Sequence, residues 1–370
     1  MQHKKLKIAL LAYRLSGGGL EKVMSSLSLY FDKVGLEVHN IVLEDYIDYP
    51  YGGLLKNFGI GKSENESVTE KAKSFFTLKK YINSNNFDHI IDFRYRLQPL
   101  KELLYAKFIF KSNTILTVHS SKINTYLPDN SFITGIICDG KKLVCVSKKI
   151  QELVEEKHHL TGCTTIYNPI DLDMVIEQSN EPLDIDSEFI IAIGKYDDNN
   201  VKQLDLLIGA YAKSILPQSN IKLVLLGAGQ NPELVKVVEN FKLENFVVLK
   251  DFDVNPHKYI SKAKFLVLSS KHEGFGMVLV EALANKIPAI SFDCIAGPNE
   301  IITHEQNGLL VENQNFSAMT TSLNRFVHDP KLYEYCKSNA YQSVQRFSIE
   351  QIGKQWLDLL KIELNSSYEY

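Results

Sequence analysis

The chain has 370 residues, 45% hydrophobic and 23% charged, a folded composition with enough length for two domains. Its 41 basic and 44 acidic residues leave a net charge of −3, which excludes a global cationic field for holding nucleic acid. Five cysteines, odd in number and without a CxxC pair, argue against a disulfide frame or zinc site and fit a reduced, cytoplasmic protein.

The first element is an apolar run over residues 6–13, LKIALLAY, which follows a basic lead-in and is ended early by Tyr13 and Arg14, with no signal-peptide cleavage site after it. Gly17, Gly18 and Gly19 follow, then the helical pattern EKVMSSLSLYFDKVG and the strand-like EVHNIVLE, which together read as a parallel α/β unit. Further strands are predicted over residues 89–93, 114–119 and 142–147. Asp92 and Arg94, just after one strand, are candidates for acceptor binding. Residues 96–111, RLQPLKELLYAKFIFK, mix basic and apolar side chains, a pattern that suits either an ordinary amphipathic helix or an anionic membrane surface. Residues 171–187 are acidic and aperiodic, and read as a linker. Beyond them the strand–helix alternation restarts, with strands over residues 189–194, 221–229, 246–250, 265–270 and 288–293. The domains are therefore placed at 1–170 and 188–349, with a last helix at about 350–370 packing back onto the first. No stretch approaches the roughly 20 apolar residues that span a bilayer.

The most informative stretch is SSKHEGFGMVLVE, residues 269–281. It runs from a strand end through a glycine turn into a helix, and Gly274 and Gly276 leave backbone amides at that helix N-terminus, where an anion is favoured. Glu273 precedes the helix and Glu281 lies about one turn inside it. Carboxylates so placed suit the hydroxyls of a ribose or a hexose, although an isolated pair of glutamates would as readily be solvated.

The segment HEGFGMVLVEALANKIPAISFDCIAGPNEII, with two glutamates separated by seven residues, closely resembles the signature of retaining nucleotide-sugar glycosyltransferases. This is the GT-B family that includes bacterial polysaccharide and lipopolysaccharide transferases. Gly18-Gly19-Leu20-Glu21, Val146-Ser147, Tyr167-Asn168-Pro169-Ile170-Asp171, Gly227-Ala228-Gly229 and Asn307-Gly308 extend the resemblance over most of the chain. It implies an α/β fold of two Rossmann-like, doubly wound domains facing a central cleft, the first binding acceptor and the second the nucleotide sugar. By the same resemblance Glu281 holds the ribose, Glu273 touches the donor hexose, and the amides of Phe275, Gly276 and Met277 sit by the diphosphate. Lys195 and Lys202 neutralise the diphosphate at positions where the family has an arginine and a lysine followed by glycine; here lysine replaces the arginine and Gln203 the glycine. Gly18 and Gly19 approach the donor, His119 contacts the sugar or orients the acceptor, and the segment holding Asp251 and Phe252 skirts the base.

The implied reaction moves a hexose or N-acetylhexosamine from a nucleoside diphosphate, expected to be uridine, to a hydroxyl of a glycan or lipid-linked glycan. It retains anomeric configuration and needs no cofactor or metal. Three Asp-x-Asp triplets, at 171 and 173, 184 and 186, and 251 and 253, bear on that last point. The first two lie in the acidic linker, and the third follows a strand beside other cationic groups that already serve a diphosphate. The partners implied are the nucleotide sugar and the acceptor, without nucleic acid, in the cytoplasm with peripheral contact at the inner membrane face. A sugar-nucleotide epimerase of the same architecture and a silent nucleotide-sugar-binding subunit are the competing readings.

Overall fold

The structure, a computed structural model, describes residues 5–61 and 67–363. Its backbone divides into two units, Met1–Pro169 with Ile349–Tyr370, and Ile170–Ser348.

In the first unit the strands are β1 (Lys7–Ala12), β2 (Glu37–Val42), β3 (Leu54–Asn57), β4 (His89–Asp92), β5 (Thr114–Val118), β6 (Lys142–Cys145) and β7 (Thr164–Thr165). They form one parallel sheet in the order β3-β2-β1-β4-β5-β6-β7, with Ile8 of the central strand paired to Val38 on one side and His89 on the other. Both faces are covered by helices, so β1 is buried from Ile8 to Ala12, as a doubly covered strand requires. The helices are α1 (Gly19–Lys33), α2 (Val68–Asn85), α3 (Pro99–Phe108), α4 (Ser131–Cys138) and α5 (Lys148–His158). α1 turns Leu20, Val23, Met24, Leu27 and Phe31 inward at helical spacing. α2 opens on a capping box between Ser67 and Glu70.

Asp92 and Arg94 are not available to an acceptor. They lie in the core with no exposed side-chain surface, where Arg94 donates to Asp92 at 2.9 Å and to Glu102 at 3.0 Å. Arg96 completes the cluster, donating to Asp92 at 3.3 Å and to the Thr117 carbonyl at 2.6 Å. Two guanidinium and two carboxylate groups compensate one another, the condition under which buried charge is tolerated.

In the second unit the acidic stretch after Ile170 is not a bare linker. It carries α6 (Leu172–Ser179), whose first turn is capped by the Asp171 carboxylate accepting from the Met174 amide at 3.0 Å. The strands β8 (Phe189–Ile193), β9 (Lys222–Leu226), β10 (Val247–Lys250), β11 (Leu266–Leu268), β12 (Ala289–Phe292) and β13 (Gly308–Val311) form a parallel sheet ordered β10-β9-β8-β11-β12-β13. Around it lie α7 (Leu204–Ala212), α8 (Pro232–Asn240), α9 (His257–Ile260), α10 (Met277–Ala284), α11 (Pro298–Ile301), α12 (Phe316–His328) and α13 (Pro330–Val344). A core of Ile190, Leu223, Leu225, Val267, Ile290 and Phe292 meets Leu207, Leu234 and Leu323 from the helices. The chain then returns to the first unit as α14 (Ile349–Leu360), which packs on α1; residues 364–370 of the expected last helix lie outside the described residues. Two Rossmann-like parallel sheets in one chain are the components of the GT-B fold expected from the sequence.

Candidate active site

In the second sheet the strand order reverses between β8 and β11, so the loops leaving those strands diverge in opposite directions. Ligands of open α/β sheets bind at such a point, at the carboxyl ends of the strands. The loop after β8 carries Lys195 and Lys202, and the loop after β11 carries Glu273. Although 71 residues apart in sequence, Lys202 Nζ and Glu273 Oε1 meet at 2.6 Å. Their side chains are 24% and 13% exposed, so the pair is sheltered yet open to a ligand on one edge.

The backbone around that pair is fixed from several sides. The Lys271 amide donates to the Val201 carbonyl at 2.9 Å, and Ser269 Oγ donates to the Lys202 carbonyl at 2.7 Å. Next to Lys202, Gln203 stands at φ 51°, where the family's glycine would sit without strain. Its buried amide exchanges two hydrogen bonds with Gln314, each 2.9 Å long, which hold it there. Cys294, after β12, is buried beside the pair; burial first and the Glu273 charge second push its thiol up to about 12, so it stays protonated.

The Gly274–Met277 turn is built to present backbone. Gly276, at φ 97°, precedes α10, and no side chain caps the helix. The Phe275 ring is buried edge-on against Phe347 at 5.2 Å, so this residue is anchored by its side chain. Gly297 locks the turn from behind: at φ 97°, a Cβ there would overlap the Phe275 carbonyl. Glu281 lies buried on α10, one turn beyond Met277.

At the ends of β9 and β10, Gly229 donates to the Lys250 carbonyl at 3.0 Å and lies against Asp251, while Phe252 is exposed. Asp253 turns away from Asp251, pairing with Lys258 at 2.8 Å and accepting from the Asn255 amide at 2.9 Å. Among the described residues no group of three or more His, Cys, Asp or Glu side chains is placed to hold a metal ion. Lys195 is exposed.

Gly18, Gly19 and His119 belong to the first unit. Gly18 caps α1 and Gly19 begins it, with the buried Glu21 carboxylate beneath Gly18 and Arg14 3.8 Å from Glu21. His119 follows β5 between the rings of Phe93 and Tyr126, and neither ring nitrogen has a partner among the described residues. Burial, then the Arg96 charge, lower its pKa to about 3, so the imidazole is neutral and offers one donor and one acceptor.

The second unit thus combines an ammonium, a carboxylate acceptor and an uncapped helix N-terminus at the carboxyl end of its sheet. That set can stabilise phosphate charge while accepting hydrogen bonds from hydroxyls. Sequence reasoning missed Ser269, Cys294 and Gln314. Only the Ser-Ser pair closing a strand carried a local signal, and the other two reach the site through the strand order alone.

Residues 175–343 match the sequence profile of a family described as "Glycosyl transferases group 1". A Campylobacter jejuni protein is 29% identical over 368 residues, covering 96% of this chain and 99% of its own. It is named N-acetylgalactosamine-N,N'-diacetylbacillosaminyl-diphospho-undecaprenol 4-alpha-N-acetylgalactosaminyltransferase. The amylovoran biosynthesis glycosyltransferase AmsD of Erwinia amylovora is 24% identical over 93% of this chain and 96% of its own. Among solved structures, Anabaena HepE in complex with UDP and glucose matches with TM-score 0.78 at 18% identity, over 96% of this chain and 99% of its own. A Rickettsia africae glycosyltransferase matches with TM-score 0.77 at 17% identity, over 97% and 98%. At those identities the structural likeness is one of fold.

Proposed function

We propose, from the match of residues 175–343 to the group 1 glycosyl transferases and the end-to-end similarity to named glycosyltransferases, that this chain moves an N-acetylhexosamine from a UDP-sugar to a hydroxyl of a lipid-linked glycan, with retention of configuration. Glycosyl transfer itself is carried by that match and by the named relatives, and the donor, acceptor and stereochemistry are proposed beyond it. The carrying observation is the Lys202–Glu273 pair at the strand reversal, beside the uncapped start of α10. The acceptor class rests on the end-to-end similarity to the Campylobacter jejuni enzyme, whose name specifies a diphospho-undecaprenol-linked acceptor.

In this reading Lys202, Lys195 and the amides of Phe275, Gly276 and Met277 balance the charge that grows on the leaving diphosphate. An ammonium has three donors, and the contact with Glu273 occupies one, leaving two for phosphate oxygens. Glu273 positions the donor sugar, Glu281 accepts from the ribose hydroxyls, and Asp251 with Phe252 borders the base. Within the first unit, Gly18 and Gly19 allow close backbone approach to a sugar or phosphate, and neutral His119 has a donor and an acceptor for sugar hydroxyls. The departing diphosphate takes the acceptor proton on the face it leaves, so the chain's task is positioning and electrostatic stabilisation. Lysines and amides supply the positive charge, and the reaction proceeds without a divalent ion.

The test is a panel of nucleotide sugars, with nucleotide release followed in the presence and absence of a lipid-linked glycan. Release from UDP-N-acetylhexosamine, stimulated by acceptor, supports the reading. An altered sugar formed without acceptor would replace it with an epimerase, and tight binding without turnover would replace it with a silent subunit.

A further inference from the structure

Helix α3 has the reverse of the polarity expected of a helix at a protein–water boundary. Its inward side holds Glu102 and Tyr105, with Glu102 on Arg94 at 3.0 Å and the Arg94 guanidinium 4.4 Å from the Tyr105 ring. Its outward side holds Leu100, Leu104 and Phe108, four residues apart and so aligned in one stripe that Leu97 extends. Leu100 is 78% exposed, which marks the stripe as unpartnered among the described residues. The adjoining α4 repeats the arrangement: Thr134 is buried, while Phe132, 79% exposed, and Ile136 one turn later point outward.

The surrounding charge on α2 and α3 is predominantly basic. Lys101 and Lys107 fall on opposite flanks of the stripe at 100° per residue. Lys79 of α2 reaches over the Phe108 ring at 5.2 Å. Setting aside the buried cluster of Arg94, Arg96, Asp92 and Glu102, residues 68–111 contain seven lysines against Glu70 and Asp88, although the whole chain has a net charge of −3. All four acids are engaged: Asp92 and Glu102 in the buried arginine cluster, Asp88 on the Lys7 amide, and Glu70 in the α2 capping box. On the α4 side Asp129 pairs with Lys157, and Asp139 is the C-cap.

We infer that this α3–α4 face docks on an anionic phospholipid bilayer, the leucines and phenylalanines entering the boundary between headgroups and acyl chains and the lysines meeting the phosphates. The inference deepens the reading of a lipid-linked acceptor and rests on it, since such an acceptor is reached only at the membrane surface. A second copy of the chain is a poorer occupant, because an isologous contact would set like-charged lysines against one another.

The test is co-sedimentation of the full chain with vesicles of phosphatidylcholine mixed equally with phosphatidylglycerol, against phosphatidylcholine alone. Binding is expected to the mixed vesicles, weakening as salt rises. The variant Leu100→Ser, Leu104→Ser and Phe132→Ser should abolish it. Lys101→Gln with Lys107→Gln should weaken it on the order of thirtyfold, from roughly 1 kcal/mol per lysine. Leu100, Leu104, Phe132 and Lys107 are exposed, so melting temperature should hold for them; Lys101 Nζ lies over the Tyr13 and Tyr105 rings at 5.7 and 5.6 Å, so Lys107→Gln alone is measured beside the pair and decides should another variant fail to fold. Mixed-vesicle binding that is absent in the parent chain, or unchanged in the folded variants, overturns the inference. So does a dimer in light scattering that only the serine variant loses. Nucleotide release from the soluble donor is followed in parallel and should not change. Failure of that reaction in the parent chain strikes the proposed function and leaves the vesicle result standing.

Discussion

Replacing Lys202 with alanine should slow turnover far more than it loosens the fold. The substitution removes the ammonium 2.6 Å from Glu273 and the stem that lies against Gly194. With the pair 24% and 13% exposed, water screens it, and its loss costs about 1 kcal/mol or less of stability. In a unit of this size that is a melting shift of about 2–4 °C. Loss of a preorganised charge facing a leaving diphosphate is larger, on the order of a hundredfold to a thousandfold in kcat, or about 2.7–4 kcal/mol of barrier. Initial rates of UDP release, measured beside calorimetric melting, separate the two. The companion variants Glu273→Gln and Lys202→Ala/Glu273→Gln sharpen the test. If Lys202 merely shields the Glu273 charge, the double variant recovers activity; if it serves the diphosphate, the double variant is as slow as Lys202→Ala. Turnover of Lys202→Ala within about threefold of the parent, or recovery in the double variant, would refute the reasoning.

Glu281→Gln should weaken UDP binding by roughly 1.5–3 kcal/mol without altering melting, and unchanged affinity by calorimetry would remove Glu281 from the ribose site. Gly297→Ala should destabilise by about 2–4 kcal/mol in urea titrations, because φ 97° and the Phe275 carbonyl both oppose a Cβ; Gly135→Ala, with open space around it, should not. His119, held neutral to about 3, takes up a proton on unfolding below its ordinary value, so its contribution is full above about pH 6.5 and is lost as pH falls. Between pH 6 and 5 the stability of His119→Asn should therefore fall less steeply than that of the parent, by up to about 1.4 kcal/mol per pH unit, and equal slopes would contradict the neutral assignment. Transfer should persist in chelator, and Asp251→Asn with Asp253→Asn should stay within about tenfold of the parent; restoration of a chelated sample by magnesium or manganese would overturn the metal-free mechanism.

The long apolar strands were legible because burial on both faces forces near-continuous hydrophobic runs, as in β1 and β9. β3, β7 and β13 escaped notice for different reasons. β3 is an edge strand whose residues alternate between exposed and half-buried, β7 has only two residues, and β13 is a four-residue run after an Asn-Gly turn. Asp171 shows how composition misleads: it looks like part of an acidic linker, yet it caps a helix. In the candidate site the Glu273–Glu281 loop was readable because it is contiguous. The meeting of Lys202 with Glu273 depends on β11 lying beside β8, which no local pattern states. Asp92 and Arg94 failed the other way, since a charge at a strand's end or two residues past it can turn into the core as easily as toward a ligand.

The return of α14 to the first unit reverses the order in which the chain can be finished during synthesis. Ile349, Ile352, Trp356, Leu357 and Leu360 supply a buried face to that unit, and Gly353 lets the helix lie flush on Tyr30 of α1. The second unit is contiguous and is complete once Ser348 has emerged; the first, although made earlier, must wait for the last helix. At about 5–20 residues per second, an α1 surface meant for α14 stays wet for roughly ten seconds or more while the intervening unit is translated. Over that interval the face of α1 around Tyr30 lacks the helix that covers it in the finished fold.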